Sequence, residues 1–379
     1  MFRFAILIVV LILGVASCKS DKQAAVNNYS SLVSKFNVEF PGRGVVDYPP
    51  FSEGDIPKSY AMVLSSELIR AKATKTPLSQ IGLVSGGWLL QNVVKGVHSG
   101  WGLPVEWDAF GDGSVNSTLT IYTITTAIVI EALLNWYEFD DGAPKEKILQ
   151  LVSFVLNPFV KDKINSISGL YAYSNAPNDA KYDCFNPAGY LLGQMQRFAK
   201  ITGKMEYANS ADKNVKIFIE HKKISLSGAW YWNYSVTENN PNDLPHATYI
   251  YLGLKEYVKR GGTLSSQIDL KKIEDHFTEF RNFWSGWHAW PFFQKMDLNP
   301  KPRLYDLGIA LFAFSTAGDK RLNKYAEELY SLSSDYRGDD GLYKYRPDVD
   351  RIINEYNAYL LLGFAGYNWG RGRSIEWTN

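Results

Sequence analysis

The chain is poor in cysteine and histidine, and this scarcity excludes several kinds of site. Its 379 residues include two cysteines, Cys18 and Cys184, and five histidines. Two cysteines cannot build a disulfide framework or a cysteine-based zinc site. Lys and Arg total 40 and Asp and Glu total 39, so the net charge gives no indication of nucleic acid or an anionic membrane surface as a partner.

Motifs that define a reaction are also missing. The sequence contains no Gly-x-Ser-x-Gly elbow, no phosphate-binding glycine loop and no His-Glu-x-x-His pair. The turn Gly111–Asp112–Gly113 is too short to be a calcium loop. We therefore predict no metal and no cofactor, and the class of protein has to be inferred from architecture and loop chemistry.

The N-terminus has the pattern of an export signal. Arg3 supplies one positive charge, residues 4–15 are an apolar run too short to span a bilayer, and small residues precede Cys18. The tetrad Val15–Ala16–Ser17–Cys18 resembles the lipobox of bacterial lipoproteins, in which the cysteine receives a diacylglyceryl thioether. An ordinary signal peptide is the alternative. We predict a signal peptide over 1–17, lipidation of Cys18, a polar tether over 18–35 and a location in the bacterial cell envelope, attached to the membrane through the lipid.

A short aromatic phrase recurs along the rest of the chain at intervals of roughly 55–65 residues. Its copies are Val105–Trp107, Gly169–Tyr173, Gly228–Trp232, Trp287–Trp290 and Gly341–Tyr345. Each copy precedes a polar loop and a helix-forming stretch. A period of this length indicates one supersecondary unit that is used several times.

The two helices predicted for each unit differ in character. Residues 118–137 are apolar on nearly every face, which is typical of a helix buried on all sides. Residues 144–156 place their apolar side chains on one stripe, as a surface helix does. Alternating inner and outer helices predict an all-α fold, an α/α toroid of about five to six helical hairpins over residues 36–379. An open α-solenoid is the alternative, but it lacks the aromatic lead-ins.

In such a toroid the N-terminal ends of the inner helices share one face, so the loops that precede them should converge. We expect a cleft there whose aromatic rings stack on sugars. His246 is the strongest single candidate, because Asp243 lies close enough in sequence to orient its ring. Asp243 and Asp306 also occupy positions typical of helix N-caps, and Asn186 is a third candidate cap. The predicted substrate-binding residues are Trp107, Asp108, Tyr173, Trp232, Arg303, Asp306, Arg351 and Glu355.

Two motifs carry a resemblance to a known group. The stretch from Thr202 to Ala211 reads Thr-Gly-x-x-x-Tyr-x-x-x-Ala, and Asp243 to Tyr249 reads Asp-Leu-Pro-His-Ala-x-Tyr. With the aromatic lead-ins, they resemble the α/α-toroid domains that act on carbohydrates, nearest to the C-terminal domain of D-glucuronyl C5-epimerases. The resemblance covers residues 165–365. The catalytic residues of that family do not match this chain position by position, so none is carried over.

Three functions remain open. The first is removal of the C5 proton of a uronic acid by a lyase or epimerase, with His246, Tyr305 or Tyr356 as base and Arg303 or Arg351 binding the carboxylate. The second is a glycoside hydrolase that uses two carboxylates, for which the candidates are Glu106, Asp108, Asp183, Asp306 and Glu355. The third is a non-catalytic lipoprotein that binds glycans or assists polysaccharide assembly. In each case the expected partner is a polysaccharide or oligosaccharide.

Overall fold

Helices dominate the computed structural model, which describes residues 23–49, 51–96, 98–161, 164–294 and 299–370. Twelve α-helices lie within these ranges. They are α1 (23–33), α2 (Pro57–Thr74), α3 (Gln80–Gln91), α4 (Thr123–Phe139), α5 (Lys145–Val160), α6 (Phe185–Thr202), α7 (Met205–His221), α8 (Leu244–Lys259), α9 (Leu270–His276), α10 (Leu304–Ser315), α11 (Lys320–Ser333) and α12 (Asn354–Ala365).

Six of these helices form a closed inner ring. α2 packs on α4, and the contacts continue through α6, α8, α10 and α12, which packs back on α2. The odd-numbered helices surround this ring. In α4, residues from Thr125 to Trp136 are buried with one exception, whereas α5 buries only one side. The closed α/α toroid is therefore confirmed: the part of the chain that the structure describes has five inner–outer hairpins, from α2–α3 to α10–α11, and α12 is the sixth inner helix.

Short antiparallel hairpins precede four of the inner helices. β1 (Arg43–Val45) pairs with β2 (Glu53–Asp55), β3 (Lys223–Ile224) with β4 (Trp230–Tyr231), β5 (Arg281–Asn282) with β6 (Gly286–Trp287), and β7 (Lys344–Arg346) with β8 (Val349–Ile352). In the first hairpin Gly44 faces Gly54. All inner helices begin at the same end of the ring, called here the cleft face, and end at the opposite end, called the base.

The glycines of α6 and α8 bring two neighbouring inner helices into close contact. A Cβ atom at Gly253 would lie 1.7 Å from the carbonyl oxygen of Gly189, and one at Gly193 would lie 2.4 Å from the carbonyl oxygen of Gly253. Any side chain at these positions would have to displace backbone. The glycines therefore set the spacing of the ring.

The predicted tether over 18–35 is too long. Residues 23–33 form α1, in which Tyr29 and Leu32 are buried against the toroid. The hydroxyl of Tyr29 donates to Glu67 Oε1 on α2 at 2.5 Å. The polar side chains of α1 face solvent, which is why the segment resembles a linker in the sequence. Cys18 and the predicted signal peptide lie outside the described residues, and no described helix is long and apolar enough to cross a bilayer.

Two helix starts also differ from the sequence prediction. α4 begins at Thr123 rather than near residue 118, because Ile121 and Tyr122 form β-bridges with Gly102 and Ser174. Asn186 does not cap α6. Cys184 is the N-cap residue there and makes no side-chain capping bond, so Asn186 already lies inside the helix.

Candidate active site

A cleft of about 170 Å³ opens at the cleft face, where the inner helices begin. Side chains from all six inner helices line it, together with residues of the loops that precede them. They are Asp47, Tyr48, Lys58, Leu103, Trp107, Ala109, Tyr122, Ile124, Thr125, Tyr173, Asn186, Tyr234, His246, Tyr249, Arg303, Tyr305, Glu355 and Tyr356. Charged groups and aromatic rings therefore share one small volume.

His246 and Asp243 form a pair at the start of α8. Asp243 is the N-cap residue, and its Oδ1 accepts from the backbone N–H of His246 at 3.3 Å and also contacts the Nδ1 atom of the His246 ring. The side chain of His246 is 23% exposed. Its Nε2 makes no hydrogen bond with any residue that the structure describes. The carboxylate thus fixes the ring and leaves one nitrogen available to a ligand.

Arg303 links this pair to the next inner helix. Its Nη2 donates to Asp243 Oδ2 at 3.0 Å, and its Nε donates to Asp306 Oδ1 at 3.0 Å. Asp306 is fully buried and accepts from the backbone N–H of Arg303. Arg303 is the N-cap residue of α10, so Asp306 is not the cap that the sequence suggested but completes a capping box from the first turn. Among the described residues, Arg303 Nη1 has no acceptor.

The two carboxylates held by Arg303 respond differently to burial. Burial by itself would raise the pKa of Asp243, but His246 and Arg303 together hold it below its ordinary value. Burial raises the pKa of Asp306, and Arg303 only partly opposes this effect. Asp243 is therefore the carboxylate kept ionised beside the imidazole, as an orienting group requires.

A second ion pair crosses the cleft between the first and last inner helices. Lys58 Nζ of α2 lies 2.5 Å from Glu355 Oε1 of α12, and both side chains are almost fully buried. Burial alone would lower the pKa of Lys58, but Glu355 outweighs it and leaves the pKa above its ordinary value. Glu355 Oε2 is buried without a hydrogen-bond partner in the described chain. One acceptor in the cleft is thus unsatisfied.

Asp47 is a functional candidate that the sequence analysis missed. It follows β1, and its Oδ2 accepts from the hydroxyl of Tyr356 on α12. Burial raises the pKa of Asp47 to about 6, and the nearby Glu355 adds to the shift. The recurring aromatic phrase begins at Val105, so that pattern does not identify the β1–β2 hairpin as an earlier lead-in. Asp47 could have been found from its position, because it lies in a loop shortly before the inner helix α2, as the other candidate residues do before theirs.

Aromatic rings form the walls of the cleft. Tyr48 and Trp107 lie 4.2 Å apart between ring centroids, and Tyr122 and Tyr173 pack against Trp107 at 5.1 and 6.5 Å. Across the cleft, Tyr305 lies 5.2 Å from Tyr356. Flat rings with polar edges are suited to the apolar faces and hydroxyls of sugars.

Tyr305 and Tyr356 are poor sources of a phenolate base, because burial raises the pKa of each well above its ordinary value. Both hydroxyls therefore stay protonated near neutral pH. In this arrangement they are hydrogen-bond donors, and Tyr356 is committed to Asp47. The imidazole of His246 is the stronger candidate for the base.

Four of the predicted substrate-binding residues do not line the cleft. Trp232 is 4% exposed and donates from Nε1 to the carbonyl of Phe218, because its side chain points toward the outer helix α7 while Tyr234 points inward. Asp108 accepts from the backbone N–H of Gly113 at 2.8 Å. Its carboxylate therefore stabilises its own loop and does not face a ligand.

The other two residues lie behind or beside the cleft. Asp306 is covered completely by Arg303 and the start of α10. Arg351 is exposed on β8, where its guanidinium stacks 4.1 Å from the ring centroid of Phe51. The structure does bring together the remaining candidates: Trp107, Tyr173, His246, Arg303, Tyr305, Glu355 and Tyr356 line the cleft, with Asp243 in direct contact.

Two further carboxylates that the sequence suggests for a hydrolase also lie outside the cleft. Glu106 is exposed in the loop before α4. Asp183 accepts from the backbone N–H and the hydroxyl of Ser168 at 3.1 and 3.0 Å, so it holds the lead-in to α6 in place. Within the described ranges, no group of three or more His, Cys, Asp or Glu side chains is arranged to hold a metal ion.

The fold is shared with enzymes that act on carbohydrates. No protein family and no curated protein matches this chain by sequence. Among solved structures it is similar to a glycosyl hydrolase of family 88 from Bacteroides vulgatus, with a TM-score of 0.61 and 11% identity over 92% of this chain and 99% of that one. It is also similar to a sugar epimerase from a ruminal bacterium, with a TM-score of 0.60 and 11% identity over 91% of this chain and 98% of that one.

A third similar structure is an unsaturated glucuronyl hydrolase specific for heparin, with a TM-score of 0.59 and 11% identity over 92% of this chain and 96% of that one. The resemblance to α/α-toroid proteins of carbohydrate metabolism is thereby confirmed at the level of the fold. At these identities the likeness extends over the whole toroid but assigns no reaction.

Proposed function

We propose that this protein is a carbohydrate-active enzyme that removes the C5 proton of a uronic acid unit in a polysaccharide or oligosaccharide, as a lyase or an epimerase. The observation that carries the proposal is the His246–Asp243 pair beside Arg303. Asp243 orients the imidazole through Nδ1, and Nε2 is left without a partner among the described residues. A base within reach of Arg303 can take a proton next to a carboxylate that the guanidinium binds.

The unused donor of Arg303 is evidence that the substrate is an anion. Its Nε and Nη2 are used by Asp306 and Asp243, whereas Nη1 has no acceptor in the described chain. A substrate carboxylate at Nη1 would spread the charge that develops when the C5 proton leaves. The aromatic walls and the fold shared with sugar-processing enzymes support a sugar as the rest of the substrate.

The reaction also requires a proton donor. Asp47, which accepts a hydrogen bond from the hydroxyl of Tyr356 on the wall of the cleft, is our candidate. With a pKa of about 6, Asp47 is partly protonated in mildly acidic solution. In a lyase this proton would go to the departing glycosidic oxygen, and in an epimerase it would return to C5 from the opposite side.

A glycoside hydrolase is the second candidate, and Asp47 is the observation that favours it. A carboxyl group whose pKa is raised by burial is the usual general acid in such enzymes. Glu355, whose Oε2 has no partner among the described residues, would be the second carboxylate. In this case the rate should fall as pH rises above about 6, and Asp47→Asn should remove that limb of the pH profile.

Product analysis on uronate polymers tests the proposal. A lyase yields an unsaturated sugar whose conjugated carboxylate absorbs in the ultraviolet, an epimerase incorporates deuterium at C5 in D₂O, and a hydrolase yields reducing ends without either signal. The proposal fails if neutral and uronate polymers give only reducing ends, or if glycans bind without any product. In the latter case the non-catalytic glycan-binding function is correct.

We also propose that the protein is attached to the membrane through lipidated Cys18, and α1 bears on its orientation. Asn368 Nδ2, beyond the end of α12, donates to the carbonyl of Ala25 at 3.0 Å, so α1 starts at the base and runs toward the cleft face. Four residues lie between Cys18 and residue 23, so the five Cα–Cα steps of this linker span at most roughly 17 Å. A lipid on Cys18 would therefore hold the base near the bilayer and point the cleft away from it.

A further inference from the structure

A second cavity lies at the base of the toroid, far along the inner helices from the cleft. It has a volume of about 190 Å³ and is bounded by the C-terminal halves of α4, α6, α8 and α10. No residue lines both this cavity and the cleft. Four cationic side chains face it: Arg197, Lys255, Lys259 and Arg260.

Two of these cations are held by shared carboxylates. Arg197 and Arg260 donate to the same oxygen of Glu138, Oε2, at 2.6 and 2.9 Å. Arg260 Nε also donates to Glu256 Oε1 at 2.7 Å. The same Glu256 oxygen lies 3.7 Å from Arg197 Nε. The guanidinium groups are thus fixed rigidly at the wall of the cavity before any ligand arrives.

One hydrogen-bond donor at this wall, Arg197 Nε, has no hydrogen bond in the described chain, although Glu256 Oε1 lies 3.7 Å away. The side chain of Arg197 is 3% exposed. Lys255 donates to the carbonyl of Thr316 at 2.9 Å but has no carboxylate within ion-pair distance in the described chain. A buried donor without an acceptor is costly, so Arg197 Nε and the unpaired charge of Lys255 together favour an anionic acceptor in the cavity.

We propose that the base cavity is a binding site for the phosphate group of a small anion. A tetrahedral oxyanion presents several acceptors at once, and it can satisfy Arg197 Nε and Lys255 Nζ together while Lys259 closes the open side. The volume of about 190 Å³ is enough for a phosphate group with a short substituent.

The titration of the two lysines agrees with this geometry. Burial lowers the pKa of Lys255 to about 8. The pKa of Lys259 is also lowered to about 8, first by burial and then by repulsion from Arg260 and Arg197, against the attraction of Glu256 and Glu138. Three carboxylates, Glu131, Glu138 and Glu256, stand against the four cations of the cavity, so one positive charge is left over and a bound anion would balance it.

The phosphate could come from a free metabolite or from the headgroup of an anionic lipid. The second source rests on the proposed lipid anchor, which would bring the base close to the membrane surface. The binding chemistry at Arg197 and Lys255 is the same for both sources, so the experiment separates them. The site itself does not depend on the reaction that takes place in the cleft.

Calorimetry with inorganic phosphate is the direct test. We expect saturable binding to the intact chain, weakened by about tenfold or more in Lys255→Met and in Lys259→Met, because each variant loses a charged hydrogen bond. Lys259 is exposed, so its replacement should not disturb folding. Lys216→Met, on the exposed side of α7, is the matched control and should bind phosphate as the parent does.

A second arm identifies the source of the phosphate. The Cys18→Ser chain is mixed with phosphatidylglycerol vesicles and, separately, with phosphatidylcholine vesicles, so that an attached lipid cannot cause binding. Binding to the anionic vesicles alone, lost in Lys255→Met, indicates a headgroup. Phosphate binding without vesicle binding indicates a free anion. The proposal is overturned if neither form binds, or if phosphate binding is unchanged in both lysine variants.

Discussion

The two ends of the toroid are built from the same inner helices, yet they differ in chain length and chemistry. At the cleft face long segments, such as residues 92–122 before α4, supply aromatic rings and carboxylates. At the base the connections are short, as at 203–204 between α6 and α7, and side chains of the helices themselves line the cavity. Loops are free to gather different residue types, whereas the base is limited to what the helices carry.

The ends also handle buried charge differently. In the cleft, Lys58 is paired with Glu355 and Arg303 with Asp243, each pair joining two inner helices. At the base, Lys255 has a carbonyl and no carboxylate partner in the described chain. Arginines are held by carboxylates at both ends, at the base by Glu138 and Glu256, so the difference lies in the lysines: Lys58 has a carboxylate partner and Lys255 does not.

The largest expected effect is the loss of membrane attachment, which tests whether the base faces the membrane and the cleft faces away from it. Cys18→Ser removes the proposed lipid, and each buried CH₂ of an acyl chain contributes about 0.8 kcal/mol to membrane binding. We expect the protein to move from the membrane fraction to the soluble fraction or to remain unprocessed. If the variant is processed and still fractionates with membranes, neither the anchor nor the orientation derived from it holds.

Replacing His246 tests the catalytic role of the cleft alone. His246→Gln should lower turnover by about 10²–10⁴-fold, the usual loss for a general acid or base. Asp243 still caps α8 and pairs with Arg303 in this variant, so the melting temperature should change little. His221→Gln, on the exposed end of α7, is the control and should keep full activity. Equal activity in the two variants would remove His246 from the mechanism.

The pH dependence of stability tests the unbalanced charge at the base. Burial lowers the folded-state pKa of Lys255 to about 8, below its ordinary value of 10.5. Between these values the unfolded chain holds more protons, so the free energy of unfolding should rise with pH by up to about 3 kcal/mol relative to Lys255→Met. Below pH 8 the difference should be constant. Parallel curves from pH 7 to 10 would show that Lys255 is not strained by burial.

The smallest expected effect is a change in stability caused by substituting a glycine of the inner helix ring, which extends from the cleft face to the base. Gly253→Ala would place a Cβ against the backbone of α6, and overpacking of this kind costs about 1–3 kcal/mol. Gly87→Ala in α3 has no heavy atom within 4 Å of the new Cβ, so it should stabilise by about 0.5–1 kcal/mol. Denaturant unfolding measures both. A stable Gly253→Ala protein would show that the inner ring can widen without cost.

Much of the fold could be predicted because its signals are local. The all-round apolar character of α4 and the single stripe of α5 identify inner and outer helices directly from hydrophobic periodicity. The same reasoning fails for α1, whose exposed face is polar, and for Trp232, because a two-residue strand does not reveal which of its neighbours points inward. Trp and Tyr residues occur both in the cleft and in the core, so residue type alone does not separate the two sets.

The sequence by itself determined the repeated helical hairpins and the pairing of Asp243 with His246, since each depends on residues only a few positions apart. It favoured a closed toroid over an open solenoid, but closure itself depends on the contact of α12 with α2. Only the tertiary structure decided that Asp47 and Lys58 meet Glu355 and Tyr356 from the far end of the chain, and that Arg197 and Lys255 share a cavity at the base. These contacts form because the ring closes. Ring closure is a property of all six inner helices packing together, and no local pattern encodes which side chains it brings face to face.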